Sequence, residues 1–161
     1  MNASKLNYLT VQDMLWVNLQ VTEKVNRFEY AELEEATYYQ YGYGPSAALL
    51  EQAAKFLNGF AQKEPFASGD AATAFIGFVG FLSINGRHFK LSDDDAVAWM
   101  GKLGAMTSGD VEAASEKVGD GPLIEKTGEH GEPDVAATLK DALERYPKTV
   151  ASLRPASAAA G

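Results

Sequence analysis

The sequence lacks several residue types, and each absence excludes a class of function. It contains no cysteine, which excludes disulfide bonds, thiolate nucleophiles and cysteine-ligated zinc. Its two histidines, His88 and His130, do not have the spacing of a metal pair or of a nucleophile–base pair. Lys and Arg number 14 against 22 Asp and Glu, and the resulting net charge of −8 argues against a surface for nucleic acids.

Long apolar runs and targeting segments are absent too. The longest apolar run, residues 71–84, is shorter than the roughly 20 residues that cross a bilayer. The start, MNASKLNYL, lacks the basic-then-apolar layout of a secretory signal. We therefore expect a cytoplasmic protein with no membrane partner.

The residues that are present predict an all-α fold. A chain of 161 residues is the size of one domain and is long enough to bury a core. Thr10 followed by Asp13 resembles a capping box. Asp93, Asp94 and Asp95 follow Ser92, where the helix dipole favours acids, so no metal site is predicted there. Apolar periodicity and breakers predict helices over about 10–26, 29–37, 45–61, 70–85, 92–109, 110–118 and 133–146.

The segment EPFASGDAATAFIGFVGFLSI, residues 64–84, joins a turn of small residues to a helix that is apolar on every side. Such a helix start aims free backbone N–H groups at an anion, so Gly69, Asp70 and Ala71 are the candidate anion-site backbone. The same stretch contains two acids, Glu64 and Asp70, and no Lys or Arg. We expect the Asp70 carboxylate to cap the free N–H groups itself and to occupy the place of a phosphate. The alternative is purely structural, because such a helix is usually the buried centre of a helical domain.

The segment resembles the signature of the Fic/Doc (Fido) family, His-x-Phe-x-(Asp/Glu)-(Gly/Ala)-Asn-(Lys/Gly)-Arg, in its short Doc-like (death-on-curing) branch. Phe66, Gly69, Thr73 and Ala74 fit the pattern. The flanks resemble the family's helix before the motif, its central helix with the following segment, and its opening helix, in LEQAAKFLNGFAQKEPF, FVGFLSINGRHFKLS and YLTVQDMLWVN. The resemblance covers roughly residues 6–118 and implies a Fido-like bundle around a buried central helix, with a small β-hairpin flap.

Five chemical positions of the signature are altered together. Glu64 stands where the family has the His that takes a proton from the target hydroxyl, and Ser68 stands where it has the acid that holds magnesium. Asp70 replaces the Asn of the phosphate loop, and Ala71 and Ala72 replace the Lys-Arg pair that meets the nucleotide phosphates. Phosphoryl and nucleotidyl transfer depend on metal and cationic groups that stabilise phosphate charge. The resemblance therefore implies the fold without its catalytic residues and without a metal site.

Four tyrosines, Tyr38, Tyr39, Tyr41 and Tyr43, lie in the segment TYYQYGYGPS. Alternating aromatic residues favour an extended strand or hairpin arm. In the Fic/Doc family a β-hairpin flap in this part of the chain pairs with an extended target segment, so the resemblance implies a partner-binding edge at these tyrosines. Packing against the neighbouring helices is the alternative interpretation.

The predicted organisation is one domain with an appended end. A Doc/Fic-like helical domain is expected at residues 1–118. Residues 119–148 are expected to form a C-terminal extension with one helix packed on the same domain. Residues 149–161 read as an Ala-rich tail that we expect to be unstructured.

Three functional hypotheses follow. The first is a Doc-like pseudoenzyme, a toxin–antitoxin-like module that binds a protein partner, either antitoxin-like or a former target, and uses no cofactor. The second is a divergent Fic/Doc transferase, a phosphoryl- or nucleotidyltransferase in which Glu64 is the base for modifying a protein hydroxyl with ATP or another nucleotide and Mg. The third is a homo-oligomeric structural subunit.

Overall fold

Eight α-helices and two short strands occur in residues 6–41, 48–124 and 134–153, the parts of the chain that the computed structural model describes. In chain order they are α1 (Val11–Thr22), α2 (Tyr30–Tyr38), α3 (Leu49–Lys63), α4 (Asp70–Ser83), β1 (Arg87–Phe89), α5 (Asp93–Trp99), α6 (Ser108–Ala113), β2 (Ser115–Lys117), α7 (Val135–Arg145) and α8 (Pro147–Leu153). The predicted class, all-α with a small two-stranded antiparallel element, is confirmed.

Helix α4 is the centre of the fold, and every residue from Ala72 to Ser83 is buried. Helices α1, α3, α7 and α8 and strand β1 pack around it. Because α4 has almost no solvent face, it is apolar on all sides. Within the described residues, no helix has both the length and the apolarity that a bilayer crossing requires.

Two glycines let neighbouring helices approach α4 closely. A Cβ atom at Gly77 would lie 2.6 Å from Met14 Cε of α1. A Cβ atom at Gly80 would lie 2.6 Å from Leu139 Cδ2 of α7. At both positions a neighbouring helix therefore crosses α4 closely.

Local capping residues set several helix starts as predicted. Thr10 and Asp13 form a capping box at α1, and the Asp95 N–H donates to Ser92 Oγ at the start of α5. The predicted end of α5 near residue 109 is wrong, because α5 ends at Trp99 and a 3-10 turn, Met100–Lys102, follows it.

The two strands lie outside the tyrosine segment, after α4 and after α6. Strand β1 pairs with β2 antiparallel, with Arg87 opposite Lys117 and Phe89 opposite Ser115. Strand β2 occupies the end of the helix predicted over 110–118, which stops at Ala113.

The tyrosines themselves are not in a strand. Tyr38 is the last residue of α2, and Tyr39 and Tyr41 lie in the turn that follows. Helix α2 buries Leu33 and Ala36, and this burial outweighs the strand preference of the aromatic residues. The prediction of an extended strand is therefore wrong for these three tyrosines, and Tyr43 lies outside the described residues.

Residues 134–153 form two helices. Pro147 begins α8, since proline is favoured at the first helical position. Thr149 and Val150 are buried, so the expectation of an unstructured tail is wrong for residues 149–153. Both α7 and α8 pack on α4.

Candidate functional site

The loop between α3 and α4 carries the altered signature positions. After α3 ends, Glu64 adopts a left-handed conformation with φ of 49°. Gly69 precedes α4 with φ of 82°, and a Cβ atom there would lie 2.3 Å from Thr22 Cγ2 of α1. Both the backbone conformation and the contact with α1 therefore require glycine at this position.

A buried polar network ties the loop to α1. The Asn18 side-chain amide donates to Ser68 O at 2.9 Å and to Thr73 Oγ1 at 3.1 Å. Asn26 Nδ2 donates to Asn18 Oδ1 and to Thr22 Oγ1, both at 2.9 Å. The Ser68 hydroxyl completes the network by donating to Asn26 Oδ1 at 3.0 Å. A loop held by this many side-chain bonds keeps the shape of the helix start without a bound ligand.

Sequence reasoning missed the two asparagines of this network. Asn18 lies between the buried residues Val17 and Val21 of α1, so a polar residue on an apolar helix face was the available signal. Asn26, buried in the α1–α2 connection, gave no comparable signal.

The Asp70 side chain also stabilises the loop, by a hydrogen bond within it. Its Oδ1 accepts a hydrogen bond from the Phe66 N–H at 2.9 Å. The prediction that this carboxylate caps the N–H groups of α4 is therefore wrong, because Asp70 is itself the first helical residue and its side chain turns back toward the loop. Burial raises the pKa of Asp70 to about 6; the Phe66 hydrogen bond opposes this rise, and the nearby Glu64 carboxylate adds to it.

Four of the five altered signature positions meet in one cleft. Glu64, Ser68, Asp70 and Ala71 line this cleft, which has a volume of about 410 Å3 and which we call the motif cleft. Ala72 does not join them, because it is completely buried in the core. The remaining lining residues of the motif cleft are Ala61, Phe66, Ala67, Gly69, Leu103 and Leu153.

The charge of the motif cleft is negative. Among the described residues, its lining includes two carboxylates and no Lys or Arg. Lys63, next to Glu64 in the chain, is turned toward α2, where its Nζ lies 3.2 Å from Glu32 Oε1 and 3.1 Å from Glu35 Oε1. The nearest basic residue in the sequence is therefore engaged elsewhere.

A second groove lies on the other side of the same loop. Phe28 in the α1–α2 connection forms an antiparallel bridge with Phe66, and the two rings are 5.8 Å apart. This groove, of about 380 Å3, shares Glu64, Phe66 and Ala67 with the motif cleft, and Phe28 is partly exposed along it. The loop thus presents apolar and acidic groups on both of its sides.

The predicted tyrosine edge is separate from the motif cleft. Tyr39 packs on Gly59 of α3, where a Cβ atom would lie 2.5 Å from Tyr39 Cδ2. The Tyr41 ring lies 4.3 Å from the Tyr8 ring and 5.4 Å from the Tyr38 ring. Tyr38 and Tyr41 therefore form an aromatic cluster with Tyr8, Tyr39 packs on α3, and none of these tyrosines lines the motif cleft.

The acidic turn at the start of α5 has structural partners. Asp93 accepts hydrogen bonds from the backbone N–H groups of Lys148 and Thr149, and the Asp94 carboxylate lies 3.0 Å from Lys148 Nζ. In the described parts of the chain, no group of three or more His, Cys, Asp or Glu side chains is arranged to hold a metal ion.

No family model matches the chain, and no curated protein and no solved structure matches it. The resemblance to the Fic/Doc family therefore stays a prediction that depends on the motif residues and their flanks. What the site does must follow from its own side chains.

Proposed function

We propose that this chain is a Doc-like pseudoenzyme, a toxin–antitoxin-like module that binds a protein partner at the motif cleft and does not transfer nucleotides. The observation that carries the proposal is the pair of carboxylates, Glu64 and Asp70, in a cleft that no described Lys or Arg lines. Support from the scaffold comes from the Asn18 and Asn26 network, which holds the helix start in a fixed shape.

The energies involved argue against phosphate at this helix start. A helix N-terminus attracts an anion by about 0.3–1 kcal/mol, or about 2 kcal/mol when partly buried. Two like unit charges at about 5 Å repel each other by about 3 kcal/mol when the effective dielectric constant is about 20. Because Asp70 is mostly ionised at neutral pH with a pKa of about 6, repulsion exceeds the attraction.

The same groups favour a partner segment with basic and apolar side chains. Ala67, Leu103 and Leu153 supply apolar contact area, and the two carboxylates supply acceptors for an Arg or Lys side chain. The net charge of −8 favours the approach of such a partner. An antitoxin-like protein or a former target with a basic segment has this chemistry.

Thermal denaturation with ATP tests the loss of nucleotide binding. We expect no change in the melting temperature of the wild-type protein at millimolar ATP, with or without Mg. The double variant Asp70→Asn, Ala71→Lys removes one negative charge and adds a positive one at the same backbone, so we expect ATP to raise its melting temperature. The double variant therefore also verifies that the measurement detects binding.

A charge reversal tests the partner surface. After a tagged protein recovers a partner from its host, binding of the purified pair is measured by calorimetry. We expect Glu64→Lys to weaken binding by about tenfold or more, because it reverses a charge in the motif cleft. The matched control is Glu116→Lys, on an exposed residue of β2 at the other end of α4. Equal affinity of Glu64→Lys and the wild type would contradict the proposal.

The divergent transferase is a second candidate, and one observation favours it. Asp70, with a pKa of about 6 beside Glu64, exchanges its proton near neutral pH, as acid–base chemistry requires. In this candidate Glu64 is the base, and the two carboxylates hold the magnesium ion of a nucleotide. A magnesium-dependent rise in the wild-type melting temperature with ATP, abolished by Glu64→Ala, would support the transferase and refute the pseudoenzyme.

A further inference from the structure

A separate cavity lies at the other end of α4, away from the motif cleft. It has a volume of about 470 Å3, within the range of pockets that hold small molecules. Its apolar wall includes Leu6, Leu49 and Leu50, and its polar wall includes Arg87 of β1 and Lys117 of β2. We call it the strand cavity.

The two cations of the strand cavity face each other. Arg87 and Lys117 are directly opposite in the antiparallel pair, so their side chains are on the same face. The backbone hydrogen bond from the Val118 N–H to Gly86 O flanks this pair, so Arg87 and Lys117 form a non-hydrogen-bonded pair. In such pairs the side chains are closer together than in hydrogen-bonded pairs. Like charges in such a pair repel each other, and an anion bound between them would relieve the repulsion.

The protein holds Arg87 in place without neutralising it. Arg87 Nε donates to Ser115 Oγ at 2.7 Å, and Nη2 donates to Ser115 O at 3.4 Å. In the described residues no carboxylate pairs with Arg87, and Nη1 has no acceptor. The guanidinium is therefore oriented by Ser115 and keeps donors for a ligand.

The acids near the strand cavity leave this charge largely available. Asp120 lies 3.2 Å from Lys117 Nζ, but both side chains are mostly exposed, so the ion pair is weak. Glu51, the other acid in the lining, is an exposed residue in the first turn of α3. Neither acid removes the charge of the Arg87 guanidinium.

We propose that the strand cavity is a binding site for a small organic carboxylate with an apolar body. The carboxylate lies between Arg87 and Lys117 and accepts hydrogen bonds from the guanidinium, and the apolar body contacts Leu49 and Leu50. This site is independent of the motif cleft and of the function proposed for it.

Titration of the full chain with 3-phenylpropionate, followed by NMR of 15N-labelled protein, tests the proposal. We expect saturable shifts of the Arg87 Nε–H and of the Leu49 and Leu50 amides. The neutral 3-phenylpropionamide and inorganic phosphate, which lack the charge and the apolar body respectively, should each bind at least about tenfold more weakly.

Two variants and a control assign the effect to the cations. Arg87→Gln and Lys117→Gln should each weaken binding of 3-phenylpropionate by about tenfold, and Arg27→Gln, at the opposite end of the fold, should leave it unchanged. Lys117 is exposed, so its variant carries the test if Arg87→Gln does not fold. The proposal is overturned by the absence of saturable shifts, by equal binding of the acid and its amide or of the acid and phosphate, or by unchanged affinity in a folded cation variant.

Discussion

Gly69 and Asp70 are neighbours at the start of α4, and each has its own role in shaping the motif cleft. Gly69 makes the turn, since only a residue without a side chain fits against Thr22 at this backbone conformation. Asp70 fastens the loop through the Phe66 N–H. The carboxylate therefore stabilises the loop by a hydrogen bond and destabilises it by its partly buried charge.

Asp70 should give the stability of the protein a distinct pH dependence. Its pKa in the folded protein, about 6, is above its ordinary value of 3.8, so the folded protein binds this proton more tightly than the unfolded chain does. The stability contributed by Asp70 is therefore present at low pH and is lost as the pH rises from about 4 to about 6. Asp70→Asn keeps an acceptor for Phe66 and removes the charge. We expect the stability of Asp70→Asn relative to wild type, measured as the difference in the free energy of unfolding, to be greater at about pH 7.5 than at about pH 4. The expected change is about 1 kcal/mol, after allowance for solvent screening.

Urea denaturation of both proteins at the two pH values measures this difference. Asp95→Asn, on an exposed residue of α5, is the matched control for the change of a carboxylate to an amide. An Asp70→Asn effect of the same size at both pH values would show that Asp70 titrates normally.

A side chain of α5 holds the N-terminus of α8. Asp93 in α5 accepts hydrogen bonds from the Lys148 N–H at 2.8 Å, the Thr149 N–H at 2.9 Å and the Thr149 hydroxyl at 2.8 Å. It thus caps the N-terminus of α8 from another helix. Burial would raise the pKa of Asp93, but the hydrogen bonds from Lys148 and Thr149 outweigh it and lower the pKa.

Removal of this cap should loosen α8. We expect Asp93→Ala to lower the free energy of unfolding by about 1–2 kcal/mol, because the freed N–H groups lose their acceptor. Hydrogen exchange at the Thr149 and Val150 amides should become faster in the variant. Asp95→Ala, two residues away in the same turn, should change stability by less than about 0.5 kcal/mol. Equal effects of the two substitutions would refute the capping role.

The sequence was most informative about elements whose signals are local. The Thr10 capping box of α1 and the apolar run of α4 contain their own evidence, and both helices were predicted. Strands β1 and β2, with three residues each, depend on pairing between Arg87 and Lys117 that no local pattern contains. Residues 149–153 were missed because α8 depends on the distant Asp93.

In the candidate site too, the local features were predicted from the sequence and the contacts with distant parts of the chain were not. Glu64, Ser68, Asp70 and Ala71 were identified as altered positions of one motif, and the structure brings them to one cleft. The direction of the Asp70 side chain depends on the path of the loop, which is set by hydrogen bonds to Asn18 of α1 and to Asn26 in the α1–α2 connection. Leu103 and Leu153, which complete the lining, come from other parts of the chain.

For the whole molecule, the crossing of α4 and α7 joins the N-terminal part of the fold to residues 134–153. Gly80 and Leu139 meet at this crossing, and both are buried. The small residue on α4 and the large one on α7 are complementary in volume. The effects of substitutions at the two positions on the free energy of unfolding should therefore be coupled.

A double-mutant cycle should measure this complementarity. We expect Leu139→Ala to cost about 2–4 kcal/mol through the cavity that it leaves, and Gly80→Ala to cost about 1–3 kcal/mol through the clash with Leu139. The double variant should cost at least about 1 kcal/mol less than the sum, since the new methyl group partly fills the cavity. Urea denaturation followed by tryptophan fluorescence and by circular dichroism gives these values.

The control for the cycle is Gly101→Ala. A Cβ atom at Gly101 has no neighbour within 4 Å, so this substitution should change stability by less than about 0.5 kcal/mol. Strict additivity of Gly80→Ala and Leu139→Ala would contradict the close crossing.

The lining of the motif cleft includes Leu153, from the last turn of α8, together with Ala61, Glu64 and residues 66–71 from the middle of the chain. During synthesis on the ribosome, α3 and α4 emerge well before α8, so the cleft is still missing one wall when its loop is already made. The complete motif cleft therefore forms only after residue 153 has left the exit tunnel and α8 has docked on α4.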